Sequence, residues 1–298
     1  MRDFKDYTVV IWWYPYGKHT HSWIHFAFHR AFEYLGYDVS WVENKPENLP
    51  AKTQKTIFIT ARWDDSFLVE NSKDTNWIIF DHNYILDPRY NIIPFWVEVF
   101  SLPNYPPTTV EKYRYYLDNP KIHWATDLLP NEIKFVPYHY KNTKDVRFIG
   151  SWWFDNWRSL EEAHLWSILH EKHWDHRGKH IFLRYKKFVS EDEIASLSRE
   201  AYMTLSIQGN PQVTGGYVPC RLLKNMSYSV LGISNNLFMA NLFDEDEVII
   251  DRDIFTLLNK AEKVIKDRKV DDYTRKALEK VRNEHTYINR IKELFSYL

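Results

Sequence analysis

The feature that most constrains the fold is a strand–helix–strand rhythm at the start of the chain. Tyr7–Trp13 (YTVVIWW) is a short β-branched and aromatic run ended by Pro15 and Gly17, the pattern of a buried strand. Trp23–Leu35 then repeats apolar side chains at helical spacing, Gly36 stops it, and Tyr37–Val42 reads as a second strand. Such a βαβ unit predicts a parallel sheet.

Strands are also expected at Thr56–Thr60 and Trp77–Phe80, followed by proline-rich connections around Pro94–Pro107, a helix over Thr108–Leu117 and a strand at Lys121–Ala125. The pattern fades over Phe135–Lys144 and then restarts. Val146–Gly150, His180–Leu183, Met203–Ile207, Val230–Ser234 and Glu247–Ile250 read as strands. Ser159–His173, Ser190–Ser198, Tyr217–Ser229, Ile254–Lys266 and Asp272–Phe295 read as helices, with Pro219 in the first turn of the third. The expected fold is therefore α/β, with two Rossmann-like doubly wound domains, 1–140 and 141–298, facing a cleft. The last helix is expected to cross back toward the first domain.

Composition narrows the partners. The chain has 39 Lys and Arg against 40 Asp and Glu, a balance that argues against a general nucleic-acid binder. Its one cysteine, Cys220, has no internal disulfide partner, which fits a reducing compartment. No apolar run reaches the ~20 residues that span a bilayer, and the expected location is the cytoplasm. Aromatic residues make up 17% of the chain, enough to serve both a core and a cleft that stacks on sugars or bases.

Ligands of doubly wound sheets sit beyond the carboxyl ends of the strands. There, Ser206–Arg221 (SIQGNPQVTGGYVPCR) carries Gln208, Gly209, Gly215 and Gly216 ahead of a helix, where backbone N–H groups can approach an anion. Arg221 and Lys224, three apart, suit one diphosphate; solvated surface charges would read the same way. Arg158, in Gly150–Arg158 (GSWWFDNWR), either reaches that diphosphate or pairs with Glu161 or Glu162 one turn on. The Walker GxxxxGK[ST] and the dinucleotide GxGxxG are both missing, which removes most of the weight from P-loop ATPases and Rossmann dehydrogenases.

The run LSIQGNPQVTGGYVPCRLLKNMSYSVLGISNN, Leu205–Asn236, resembles the donor-binding region of GT-B glycosyltransferases. The likeness is to their exostosin-like and spore-maturation-like branches, including xylosyltransferases of large DNA viruses, and IWWYPYGKHTHSW suits their acceptor domain. It implies that Arg221 contacts the donor diphosphate, that Gly215, Gly216 and Tyr217 approach the donor, and that Asn235 and Asn236 line the cleft. The Glu-x7-Glu pattern of retaining members is not evident: Tyr217, Leu222 and Lys224 stand in that region. The expected activity is inverting, metal-independent transfer from a nucleoside-diphosphate sugar to a glycan hydroxyl. UDP-sugars, UDP-xylose among them, are the favoured donors, and no cofactor beyond the nucleotide sugar is required. The competing reading is a non-catalytic carbohydrate- or nucleotide-binding module.

Inverting transfer needs a base for the acceptor hydroxyl, expected in the first domain. His21 (with His19) follows the first strand, Asp64 (with Asp65) the TIFITARW run, and Asp81 (with His82) the WIIF strand. Glu98, amid apolar neighbours, is a weaker candidate. Two histidine sets invite a metal reading: His21, His25 and His29, and His170, His173, His176 and His180. Neither contains HExxH, and polar-face histidines are the expectation for both.

Overall fold

The computed structural model describes residues 4–14, 22–61, 68, 71–72, 75–82, 92–96, 124–139, 143–150, 156–177, 191–214 and 218–296. Two units divide the chain: Met1–Leu129 with Thr286–Leu298, and Pro130–His285.

In the first unit, strand β1 (Thr8–Trp13) leads into helix α1 (Ser22–Tyr34), followed by β2 (Val39–Glu43), β3 (Thr56–Ala61), β4 (Trp77–His82) and β5 (Ile92–Trp96). The strands pair in parallel in the order β2-β1-β3-β4-β5. Strand β1 is buried almost throughout, as a parallel strand covered on both faces must be. Gly36 ends α1 at φ +77°, and the Tyr37 and Gly36 N–H groups donate to the Phe32 and Glu33 carbonyls (3.1 and 2.8 Å). That Schellman closure needs the left-handed conformation glycine tolerates. Strand β5 was expected to be a proline-rich connection. Among the described residues β5 is the last strand of its sheet, the position at which a proline is tolerated.

The second unit runs β6 (Asp145–Ile149), α2 (Trp157–Leu169), β7 (His173–Arg177), α3 (Glu191–Glu200), β8 (Met203–Leu205), α4 (Asn210–Thr214), α5 (Cys220–Ser227), β9 (Gly232–Ser234), β10 (Val248–Ile250), α6 (Ile254–Lys266) and α7 (Val270–Glu284). The ladders β7-β6-β8 and β9-β10 are parallel, and Ser206 N–H bonds the Ile233 carbonyl (3.1 Å) between them. The resulting order, β7-β6-β8-β9-β10, repeats that of the first unit. Phe148, Leu205, Ile233 and Ile249 pack with Leu160 and Trp166 of α2 and with Leu257, Leu258 and Ala261 of α6.

Strand β7 (HWDHR) has no apolar run to announce it. Among the described residues it is the outermost strand of its sheet, and it is tied to β6 by charge: Asp175 accepts from Arg147 Nε (2.6 Å) and from Arg177 Nε (2.7 Å). The strand expected at His180–Leu183 and the helix at Thr108–Leu117 lie outside the described residues. Trp124 and Ala125 form no strand; Thr126 makes a single bridge to Thr286.

The break between units falls ahead of 140 for a physical reason. Ser229 Oγ accepts from Val136 N–H (2.8 Å) and donates to the Lys134 carbonyl (3.0 Å), and Asp271 accepts from Tyr138 N–H (2.7 Å). These bonds tie the irregular segment Pro130–His139 into the second unit. The expected final helix is two. After α7, Thr286 donates from both N–H and Oγ to Asn289 Oδ1 (3.0 and 2.6 Å) and starts α8 (Tyr287–Ser296), which packs in the first unit.

Candidate donor site at the β6–β8 switch point

A sheet ordered 2-1-3-4-5 reverses its winding between its first and third strands, and ligands gather beyond their carboxyl ends. In the second unit those strands are β6 and β8. Arg221, on the first turn of α5, donates from Nε to the Ile149 carbonyl at the end of β6 (2.8 Å). Its guanidinium carbon stands 4.5 Å from the centre of the Phe148 ring. The next residue is Gly150, where a Cβ would lie 2.7 Å from Cζ and 2.9 Å from Nε of Arg221 and closer still to Nη2. The guanidinium thus sits over Phe148 at the end of β6, at the switch point.

At the end of β8 an amide cluster fixes the turn. The Asn235 side chain accepts from Gln208 N–H (2.8 Å) and donates to the Gln208 carbonyl (2.9 Å), copying one rung of a β ladder. Asn236 Nδ2 donates to Gln208 Oε1 (3.1 Å), while Asn236 Oδ1 accepts from Phe238 N–H (3.0 Å). Gln208, Asn235 and Asn236 are all buried, so the two asparagines shape the loop from within. Gly209 follows on the way to α4. Gly215, Gly216 and Tyr217 lie outside the described residues.

The two other expected cations are placed differently. Lys224 is bound to Glu191 (2.8 Å), with its side chain only 13% exposed and its charge offset. Arg158 is 82% exposed and pairs with Glu162 one turn along α2 (3.3 Å), the bland alternative of the two expected for it. Of the three cations, Arg221 is the one set on a strand end.

His176 and Phe148 are neighbours of the site that sequence reasoning did not assign to it. His176 Nε2 bonds the Gly150 carbonyl (2.9 Å), and its ring centroid is 5.8 Å from that of Phe148. The signal in both cases was the rule that strand ends bear ligands; for His176 it applied to a strand, β7, whose polar sequence hid it. The other described histidines of that set have separate partners: His170 stacks on Trp166 with centroids 4.1 Å apart, and His173 Nδ1 bonds Asp145 (2.9 Å). In the first set, His25 is buried against Trp13 (4.2 Å) and His29 pairs with Glu33 (3.1 Å). No group of three His, Cys, Asp or Glu among the described residues is placed to hold a metal.

A cavity of about 230 Å³ lies at the opposite, amino ends of β8 and β9, bordered by Tyr138, Met203, Thr204, Leu231 and Ile265. The switch-point rule directs a nucleotide to the other end of the sheet. Of the candidate bases, His21 and Asp64 lie outside the described residues, as do His19, Asp65 and Glu98. Asp81 is the fifth residue of β4, in register with Thr60 and Pro94, so the strand continues past the expected WIIF. No helix among the described residues is long and apolar enough to cross a membrane.

Residues 142–296, just over half of the chain, match the glycosyl transferase-like family. No curated protein matches the chain significantly. Among solved structures, an α-glucosyltransferase with UDP and a 13-mer DNA containing an HMU base superposes with a TM-score of 0.61 at 10% identity, over 97% of this chain and 98% of that one. An α-glucosyltransferase complex whose DNA holds an A:G mismatch gives 0.59 at 9%, over 97% and 98%. TarM gives 0.52 at 10%, over 84% of this chain and 56% of that one. At such identities the likeness is one of fold, and that fold is GT-B.

Proposed function

The chain belongs to the glycosyl transferase-like family, and from that premise we propose that it transfers a sugar from a nucleoside-diphosphate sugar to a glycan hydroxyl, with inversion and without a required metal. The observation that carries the donor reading is the Arg221 guanidinium seated on the carboxyl end of β6 beside Gly150. A leaving nucleoside diphosphate gains negative charge as the sugar–phosphate bond breaks, and a fixed guanidinium stabilises that charge more than the ground state. The Gln208–Gly209 turn follows the neighbouring strand end, its geometry set by Asn235 and Asn236. UDP-sugars are the favoured donors, with UDP-xylose among them, in line with the resemblance to exostosin-like and viral xylosyltransferases. We place the reaction in the cytoplasm. The acceptor base belongs to the first unit, with His21, Asp81 and Asp64 as candidates.

Thermal-shift screening against UDP-, GDP- and CMP-sugars, followed by turnover of the stabilising donor, tests this. One selective stabilisation by several degrees is expected, because a ligand at 100 times its Kd adds about 2.7 kcal/mol. Turnover unchanged in EDTA is expected as well. Stabilisation by no nucleotide sugar overturns the donor reading; activity lost in EDTA and restored by Mn²⁺ or Mg²⁺ overturns the metal-independent one.

A further inference from the structure

Arg221 is a long side chain with many rotamers, yet its head is held on three sides. Phe148 lies under the guanidinium, the Ile149 carbonyl takes its Nε–H, and Gly150 leaves open the volume its fork occupies. The Gly150 peptide is itself fixed by β7. Gly150 N–H donates to the Arg177 carbonyl (2.8 Å), and the Gly150 carbonyl is bonded by His176 Nε2 (2.9 Å). A carbonyl only accepts, so His176 carries a proton on Nε2.

We infer that Gly150 and His176 are positioning residues whose role is to seat Arg221 for the donor diphosphate, an inference that rests on the donor reading of Arg221. Gly150 acts by its missing side chain. The group that a Cβ would strike is the tip of a flexible arginine, so a methyl at 150 displaces the guanidinium; at φ +156° it also strains the backbone there, and the His176 variants, which leave that backbone unchanged, separate the two effects. His176 acts one step further out, by holding the Gly150 carbonyl and so the orientation of the Gly150 Cα that faces the guanidinium. Pairwise, these contacts join residues far apart in sequence: Arg221 reaches Ile149 across 72 positions. The consequence is coupling. Changes at 150 and 176 reach the nucleotide only through Arg221, and they vanish from binding when Arg221 is gone.

The test is calorimetry of UDP, GDP and CMP on the full chain, using whichever nucleotide binds the parent protein. Gly150→Ala should weaken it roughly tenfold or more, the loss expected for one charge-assisted contact. In an Arg221→Ala background, adding Gly150→Ala should change the Kd less than about twofold. His176→Leu should weaken binding several-fold, and His176→Gln, whose amide N–H can reach the same carbonyl, should restore most of it. Near-UV circular dichroism reports folding; if Gly150→Ala does not fold, the two His176 variants with and without Arg221→Ala decide the question. Additive losses in the double variant, or parent-like affinity in both Gly150→Ala and His176→Leu, overturn the seat. Unchanged affinity in Arg221→Ala, or binding of no nucleotide by the parent protein, overturns the donor reading itself and the seat with it, and either is recognised without reference to residue 150 or 176.

Discussion

On the proposed donor reading, a guanidinium already bonded to a main-chain carbonyl and seated over a ring would forfeit little further freedom to a diphosphate, and that preorganisation sets what Arg221 is worth. Arg221→Ala should reduce donor binding and transfer by roughly 2–4 kcal/mol. Arg221→Lys should recover only part, since an ammonium keeps the charge but loses the Nε donor and the planar fork. Calorimetry with the nucleoside diphosphate and kcat/KM with the donor measure both; parent-like values in Arg221→Ala would remove it from the site. At this scale the sequence was informative where chemistry is local. Arg221 stood out as a candidate because a glycine-containing loop, a helix start and a charge follow one another within sixteen residues, Ser206–Arg221. Lys224 shares those local signals, but its partner, Glu191, lies on another helix. The Gly150–Arg221 fit is likewise a contact between distant segments, and a lone glycine outside any fingerprint gives no hint of what it makes room for.

Elements were legible where burial makes a strand or helix apolar, and not where another force holds it. Helix α6 was expected over the same residues it occupies, Ile254–Lys266, with the Asp253 side chain capping it by accepting from Thr256 N–H (2.8 Å). Strand β7 was missed because ion pairs, not apolar side chains, fix it. Arg147, 5% exposed in mid-strand β6, bonds Asp175, Asp145 and the Leu197 carbonyl. Burial pushes the Asp175 carboxyl up, but the hydrogen bonds from Arg177 and Arg147 outweigh it and hold the group below the usual carboxylate range. A lowered folded pKa means stability that is present above the unfolded value near ~3.9 and is lost as pH falls through the folded one. Asp175→Asn should therefore cost about 3 kcal/mol at neutral pH, by leaving Arg147 short of a buried partner, and should flatten the acid limb of stability against pH. Urea melts of both proteins between neutral and acid pH check this, and an identical acid slope in the variant would refute the assignment.

At the scale of the molecule, the chain builds two sheets of one winding order and then returns to the first. The sequence predicts a doubled α/β rhythm, a linker near Phe135–Lys144 and a final helix that crosses back; Pro130–His139 has no regular structure and is tied into the second unit by bonds to residues far along the chain, Ser229 and Asp271, contacts that no local pattern announces. If the first unit supplies the base, then alanine at His21, Asp64 or Asp81 separates chemistry from donor binding. One of the three should lower kcat by two orders of magnitude or more, on the scale of lost general-base catalysis, at nearly unchanged nucleotide affinity. Near-normal turnover in all three would send the search for the base elsewhere. The returning helix gives the last test. Phe295 of α8 meets Phe4 (5.0 Å), Phe32 (6.1 Å), Tyr37 (5.9 Å) and Phe80 (6.2 Å) between ring centroids, and Tyr287 meets Phe28 (4.6 Å). The final helix is thus part of the first unit's aromatic core, although it follows the whole of the second unit in sequence. Phe295→Ala should remove roughly 3–5 kcal/mol from that unit, the range for a large aromatic deleted from a packed core. A nucleotide bound at the end of β6 stabilises the other unit by mass action. Calorimetric melting should then deviate from two-state behaviour, with UDP raising one transition and Phe295→Ala lowering the other. A variant that lowers the UDP-responsive transition and leaves the second in place would show that α8 supports the donor-binding unit instead.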